Sequence, residues 1–144
     1  MSRNIFAVRK RILDVWCEHI ADAEESVLVA AYKLTSEKAF NALFSAFKRG
    51  VKVRVILDQL AAESDISLAK KAIIEGLEIH FWPSRELGKL HTKLYIIDNR
   101  ELIFGSFNLT KTAEKYNTET FFRSDDSKLL QEAVQAWKKI LDKC

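Results

Sequence analysis

The sequence is poor in the residues that break or staple a chain. Its 144 residues include two cysteines, one proline and four glycines. Cys17 and Cys144 are too few and too far apart for a disulfide framework, and neither sits in a metal-binding spacing. With Pro83 alone and so little glycine, long linkers are not expected. No apolar run approaches the roughly 20 residues that cross a bilayer. Arg3, Arg9, Lys10 and Arg11 place charge where a secretory leader needs an apolar stretch. No segment recurs at a fixed period, which excludes a repeat array. An excess of one charge is missing as well: 23 basic against 20 acidic residues leave +3, too little to require an anionic partner.

What remains is ordinary globular material, 48% hydrophobic and 30% charged. These proportions predict one soluble, cytoplasmic domain over residues 1–144, without stable membrane association. Val8, Ile12, Val15, Trp16 and Ile20 recur at helical spacing and predict an amphipathic helix over about 5–23. The run from Ser26 to Tyr32 reads as a buried strand, and Val51 to Asp58 as another, with a helix between them that Thr35 or Ser36 caps. A helix over about 64–75 should stop at Gly76, followed by a strand over Leu77–Phe81 and a loop from Pro83 to Gly88. Leu94–Ile97 and Glu101–Phe104 have the layout of a hairpin around Asp98-Asn99-Arg100. A strand over Thr118–Arg123 and a helix over about 125–142 close the chain. The fold class is α/β, a mixed sheet flanked by helices on both faces.

The chemistry concentrates between His91 and Glu119. His91 and Lys93 are two residues apart at a strand entry and should share a face. Ser106 and Asn108 repeat that spacing after Gly105, at the end of the partner strand. The hairpin would gather an imidazole, an ammonium, a hydroxyl and a carboxamide. That set suits a phosphodiester: ammonium and amide take the non-bridging oxygens, and an imidazole attacks phosphorus or protonates a leaving oxygen near neutral pH. No carboxylate cage for Mg²⁺ accompanies these residues, so no metal or cofactor is expected.

His91-x-Lys93-x4-Asp98-x6-Gly105-Ser106-x-Asn108 matches, without a gap, the signature of the phospholipase D superfamily. Ala30 to Ser36, the turn Lys48-Arg49-Gly50, and Leu109 to Glu119 further resemble its small bacterial endonucleases. The resemblance covers about residues 20–140 and implies a phospholipase D-like fold. It implies His91 as the nucleophile of a phosphohistidine intermediate, Lys93 and Asn108 as phosphate ligands, and Ser106 as a hydroxyl beside the phosphate. It also implies Glu119 as the carboxylate holding the imidazole, and Asp98 and Gly105 as supports of the motif. The chain has one copy of the motif, since neither His19 nor His80 is followed two residues later by Lys. The resemblance therefore implies a homodimer with one site at its two-fold axis, cleaving DNA or RNA without a metal. A cardiolipin-type lipid hydrolase is the first alternative. A nucleic-acid-binding or nuclease module of a larger restriction or helicase system is the second. Relatives of this kind begin with an edge strand, for which only Arg3–Phe6 is available if the first helix starts at residue 5.

Outside the motif, His19 reads as a surface residue and His80 as a strand-end residue. Trp16 and Trp137 read as core. Trp82 fits loop or core packing better than a base-stacking platform. Lys89, Lys111 and Lys115 flank the motif as solvated lysines or as contacts to a phosphate backbone.

Overall fold

A computed structural model describes residues 3–144; Met1 and Ser2, the first residues of the domain assigned to 1–144, lie outside it. Seven strands form one mixed sheet: β1 (Asn4–Arg9), β2 (Ser26–Ala31), β3 (Lys52–Asp58), β4 (Glu78–Trp82), β5 (Leu94–Ile97), β6 (Glu101–Gly105) and β7 (Glu119–Ser124), in the spatial order β1-β7-β6-β5-β2-β3-β4. β2, β3 and β4 run parallel, joined by helical crossovers; β5, β6, β7 and β1 are antiparallel. The division follows from connection length, because the three-residue link 98–100 can only turn a strand back on itself. The long helices are α1 (Ile12–Ala21), α2 (Glu37–Lys48) and α7 (Ser127–Asp142); α3 (Gln59–Ala62), α4 (Ala69–Ile74), α5 (Ser84–Leu87) and α6 (Lys111–Lys115) are short.

One face of the sheet carries the larger core. Trp16 and Ile20 of α1, Phe40 and Leu43 of α2, and Ala113 of α6 pack there on Val27, Val29, Tyr95, Ile103 and Phe121. The other face is covered by α7, whose Leu130, Ala133 and Trp137 pack on Ala30, Ile56, Ile96 and Leu102. Alternation of side chains sorts neighbours such as Tyr95 and Ile96 to opposite cores. Trp16 and Trp137 are buried as the sequence predicts, and the Trp137 indole N–H donates to the Val29 carbonyl at 3.0 Å.

The structure corrects the chain's beginning. Residues 4–9 form an edge strand paired antiparallel with β7, not the first turns of a helix. Arg11, at φ 56°, breaks the chain between β1 and α1, a left-handed conformation that a continuous helix does not admit. Val8, placed on the helical stripe by its spacing, is 57% exposed on β1. The helix expected over 64–75 is also shorter, running from Ala69 to Ile74, with the separate α3 before it. Ser64 and Ser67 accept hydrogen bonds from the Ile66 and Ala69 amides, drawing the intervening backbone away from a helical ladder. The loop expected from Pro83 to Gly88 contains the single-turn α5.

Candidate active site

The parallel strands β2, β3 and β4 deliver their carboxyl ends to the same sheet end as the start of β5, the end of β6 and the start of β7. Every chemistry-bearing residue of the motif lies at this end, where open α/β sheets hold their ligands. His91 and Lys93 lie just before β5, while Ser106 and Asn108 lie just after β6. They therefore occupy the flanks of the hairpin strands rather than the strands themselves.

Lys93 Nζ lies 3.1 Å from His91 Nδ1 and 2.6 Å from the His91 carbonyl oxygen. Burial pulls the Lys93 ammonium below the ordinary lysine range, and the charge of Glu119 opposes that shift. None of the ion pairs among the described residues involves Lys93. Ser106 Oγ donates to Glu119 Oε1 at 2.9 Å and accepts from the Thr120 amide at 2.9 Å. Asn108 Oδ1 is sealed from solvent without a partner. The indole nitrogen of Trp16, deep in the core, is the other buried side-chain polar atom without a partner among the described residues. Among the described residues no group of three His, Cys, Asp or Glu side chains gathers as a metal cluster.

The supports are equally specific. Asp98, at φ 56°, turns the hairpin and accepts from three successive amides: Glu24 at 3.1 Å, Glu25 at 2.7 Å and Ser26 at 3.1 Å. Burial would raise the Asp98 carboxyl; these amides, helped by the Arg100 charge, outweigh it and hold the group below the ordinary carboxylate range. Asp98 thus ties the far end of β5 to the entry of β2, away from the imidazole. Gly105 meets a steric limit: a Cβ there would lie 1.9 Å from the Thr120 carbonyl oxygen. Only glycine lets β6 approach β7 closely enough for the Ser106 amide to reach that carbonyl at 3.2 Å.

Other residues at this end carry no motif signal. Tyr32 immediately follows β2, and its ring lies 5.5 Å from that of His91. Asp58, fully buried at the end of β3, accepts from the Ala61 amide at 2.9 Å, the Ser84 hydroxyl at 3.0 Å and the Leu90 amide at 2.9 Å. It braces the segment that enters His91. The one sequence clue to Asp58 is a carboxylate ending an otherwise apolar strand. Thr35 and Ser36 do more than cap: their amides donate to the Leu109 carbonyl at 2.9 and 3.0 Å, locking the exits of β2 and β6 together.

Two expected placements differ, those of His19 and Glu119, while Trp82 packs as expected. His19 is half-buried rather than superficial, with Nδ1 2.8 Å from Glu101 Oε1. Glu119 is hydrogen-bonded to Ser106, while the recorded side-chain partner of the His91 ring is Lys93. Trp82 donates its indole N–H to the Gly88 carbonyl at 2.9 Å and packs beside the α7 core, so it is a loop-packing residue. His80 pairs with Glu78 at 2.7 Å on edge strand β4.

Fold and site together define an α/β domain with polar histidine, lysine and asparagine side chains at the carboxyl ends of its parallel strands. Residues 16–141 match the family described as cardiolipin synthase, PLD-like domain. A phospholipase D from Rickettsia prowazekii is 35% identical over 120 residues, covering 83% of this chain and 58% of that protein. The chain thus spans a little over half the length of the curated relatives it matches. Nuc from Salmonella typhimurium, a phospholipase D family member, superposes with a TM-score of 0.89 at 24% identity, covering 99% of this chain and 96% of that one. NucT from Helicobacter pylori gives 0.87 at 24% identity, over 100% and 98% of the two chains. These two superpositions establish the shared fold. The chain belongs to the phospholipase D-like family.

Proposed function

We propose that the protein is a metal-independent phosphodiesterase that cleaves DNA or RNA internally, through a covalent phosphohistidine at His91. The observation that carries this reading is the set of groups at one sheet end: the imidazole of His91, the partly desolvated Lys93 ammonium 3.1 Å from it and without an acidic partner, and Asn108 at the exit of β6. Lys93 and the Asn108 Nδ2–H would hold the non-bridging oxygens of a phosphodiester, with the Ser106 O–H turning to them from Glu119. A neutral His91 attacks phosphorus, forming the P–N bond as the P–O bond to the leaving oxygen breaks. That oxygen needs a proton. Water then attacks phosphorus, the P–N bond breaks, and the water proton passes to a base.

One His91 cannot be nucleophile and acid in the same step. A second copy of the chain supplies the other imidazole, with the two-fold axis running through the site. Phe6, Phe122 and Phe104 lie in register across β1, β7 and β6, and the Phe104 and Phe122 rings are 4.9 Å apart. They share the sheet face of Leu102, which packs under α7, but extend beyond that helix; Phe6 is 68% exposed and Phe104 39%. Phe104 is two residues from Ser106, so a second copy seated on this face adjoins the site. Within that shared site Glu119 would orient an imidazole once substrate draws Lys93 and Ser106 away.

Hydrolysis of plasmid DNA and of a single-stranded oligonucleotide in excess EDTA tests the reading, with His91→Ala inactive. Sedimentation should give a dimer that Phe104→Glu with Phe122→Glu dissociates and inactivates. A second reading, a lipid phosphodiester, draws on exposed Leu60, Ile66 and Leu87 along α3, the segment after it, and α5. The relatives' phospholipase names favour it too. Headgroup release from cardiolipin vesicles, with nucleic acid left intact, would replace the first reading by the second. Binding of DNA without turnover in any buffer would instead mark a module of a larger machine.

A further inference from the structure

Beside the phosphate cluster stands a second group of residues. The Tyr32 ring is half-buried, and its hydroxyl has no hydrogen-bond partner among the described residues. Two ammonium groups flank it, Lys33 Nζ at 5.3 Å and Lys89 Nζ at 5.6 Å from the ring centroid. Neither lysine joins an ion pair among the described residues, whereas Lys38 is paired with Asp14 and Lys71 with Glu37.

Lys89 is exposed, yet its backbone is fixed on both sides. The Gly88 carbonyl accepts from the Trp82 indole at 2.9 Å, and the Leu90 amide donates to buried Asp58 at 2.9 Å. A solvated lysine needs no such bracing. An ammonium held near an aromatic ring is loosely preorganised and can be released to a phosphate oxygen. The vacated ring then offers a surface to an apolar, planar group.

We infer that Tyr32, Lys33 and Lys89 form a subsite for the nucleotide next to the cleaved bond in an unpaired strand, with Tyr32 stacking on its base and the two lysines taking the neighbouring phosphate. The inference rests on the nucleic-acid reading above and narrows it to single strands. A base inside a duplex has both faces covered by its neighbours, so stacking on Tyr32 requires a base free of the helix. A diacyl phosphate ester carries no planar group for the ring.

The test is cleavage of three matched substrates in EDTA: a single-stranded oligonucleotide, its duplex, and the same strand with abasic residues flanking the scissile bond. The wild-type protein should prefer the single strand, with a KM raised about 10-fold by loss of the flanking bases. Tyr32→Ala should raise KM by a similar factor on the intact strand and much less on the abasic one, and Tyr32→Trp should restore the difference. Lys33→Gln with Lys89→Gln should flatten the salt dependence of binding, measured on the His91→Ala background, by about one unit of log–log slope. Equal losses on intact and abasic strands, or faster cleavage of the duplex, overturn the subsite and leave the nuclease standing. If the wild-type protein cleaves no nucleic acid, the reading falls and the subsite with it.

Discussion

The two ends of the sheet treat charge in opposite ways. At the end remote from His91, a cleft of about 630 Å³ is lined by His19, Asp98, Glu101, Arg123 and Asp125 among others. It is rich in polar groups, but they answer one another. Arg123 lies 2.7 Å from Glu101 and 3.3 Å from Asp125, and His19 completes the network from α1. Burial raises the Glu101 carboxyl, while hydrogen bonds from His19 and Arg123 outweigh it and hold the group low. At the His91 end, Lys33, Lys89 and Lys93 have no acidic partner within ion-pair distance among the described residues, and the Asn108 amide oxygen is orphaned. A cleft with paired charges holds the fold together. Unpaired charges leave the other end free for the phosphate binding proposed above.

Substitutions break this contrast in a graded way. The largest expected effect is His91→Ala, which should remove at least about 10⁴-fold of the phosphodiesterase rate while leaving thermal unfolding unchanged. His19→Ala should do the reverse, and equal losses of rate in both variants would erase the distinction between the ends. Gly105→Ala comes next, because its methyl group has no room against the Thr120 carbonyl. It should cost about 3 kcal/mol in urea unfolding, and a cost near zero would show that β6 and β7 part easily. Asp98→Ala strips three amides of their acceptor and should cost about 2 kcal/mol, with kcat of the folded fraction retained.

The smallest effect is the pH response of the paired end. Asp98 and Glu101 both titrate below their ordinary values in the folded protein. Their contribution is therefore present above the unfolded carboxyl range and is lost as pH falls through the folded values. The urea midpoint should drop on acidification through that window, and Asp98→Asn should flatten the drop. Lys93 works in the other direction on the activity side. Its lowered value means that the ammonium is lost at a lower pH than for a free lysine, so the alkaline limb of the rate profile should move upward in pH when Glu119 is kept and the site is opened to water.

Most of the candidate site was legible because its residues are bound by short, fixed spacings. His91, Lys93, Ser106 and Asn108 flank one hairpin, and a hairpin with a three-residue link leaves little freedom in how its strands align. Asp98 and Gly105 were legible as supports, though their reasons were not: three amides for one, a carbonyl 1.9 Å from a virtual methyl for the other. Residues 4–9 misled because Val8 falls in a helical period with Ile12 by coincidence, while β1 is decided by pairing with β7, more than 100 residues away. The roles of Tyr32 and Asp58 were hidden for a related reason. Each ends a different strand, and only the sheet brings those ends beside His91.

The amino-acid sequence by itself determined the α/β class, the two terminal-helix tryptophans of the core and the identity of the motif. Local periodicity and short spacings carry such information, since both act between residues that are neighbours in the chain. Tertiary structure alone decided the edge strand, the pairing of His19 with Glu101 and the gathering of Tyr32, Lys33 and Lys89 at the site end. Those depend on which strands lie side by side, and that is settled by burial across the whole sheet rather than by any one segment.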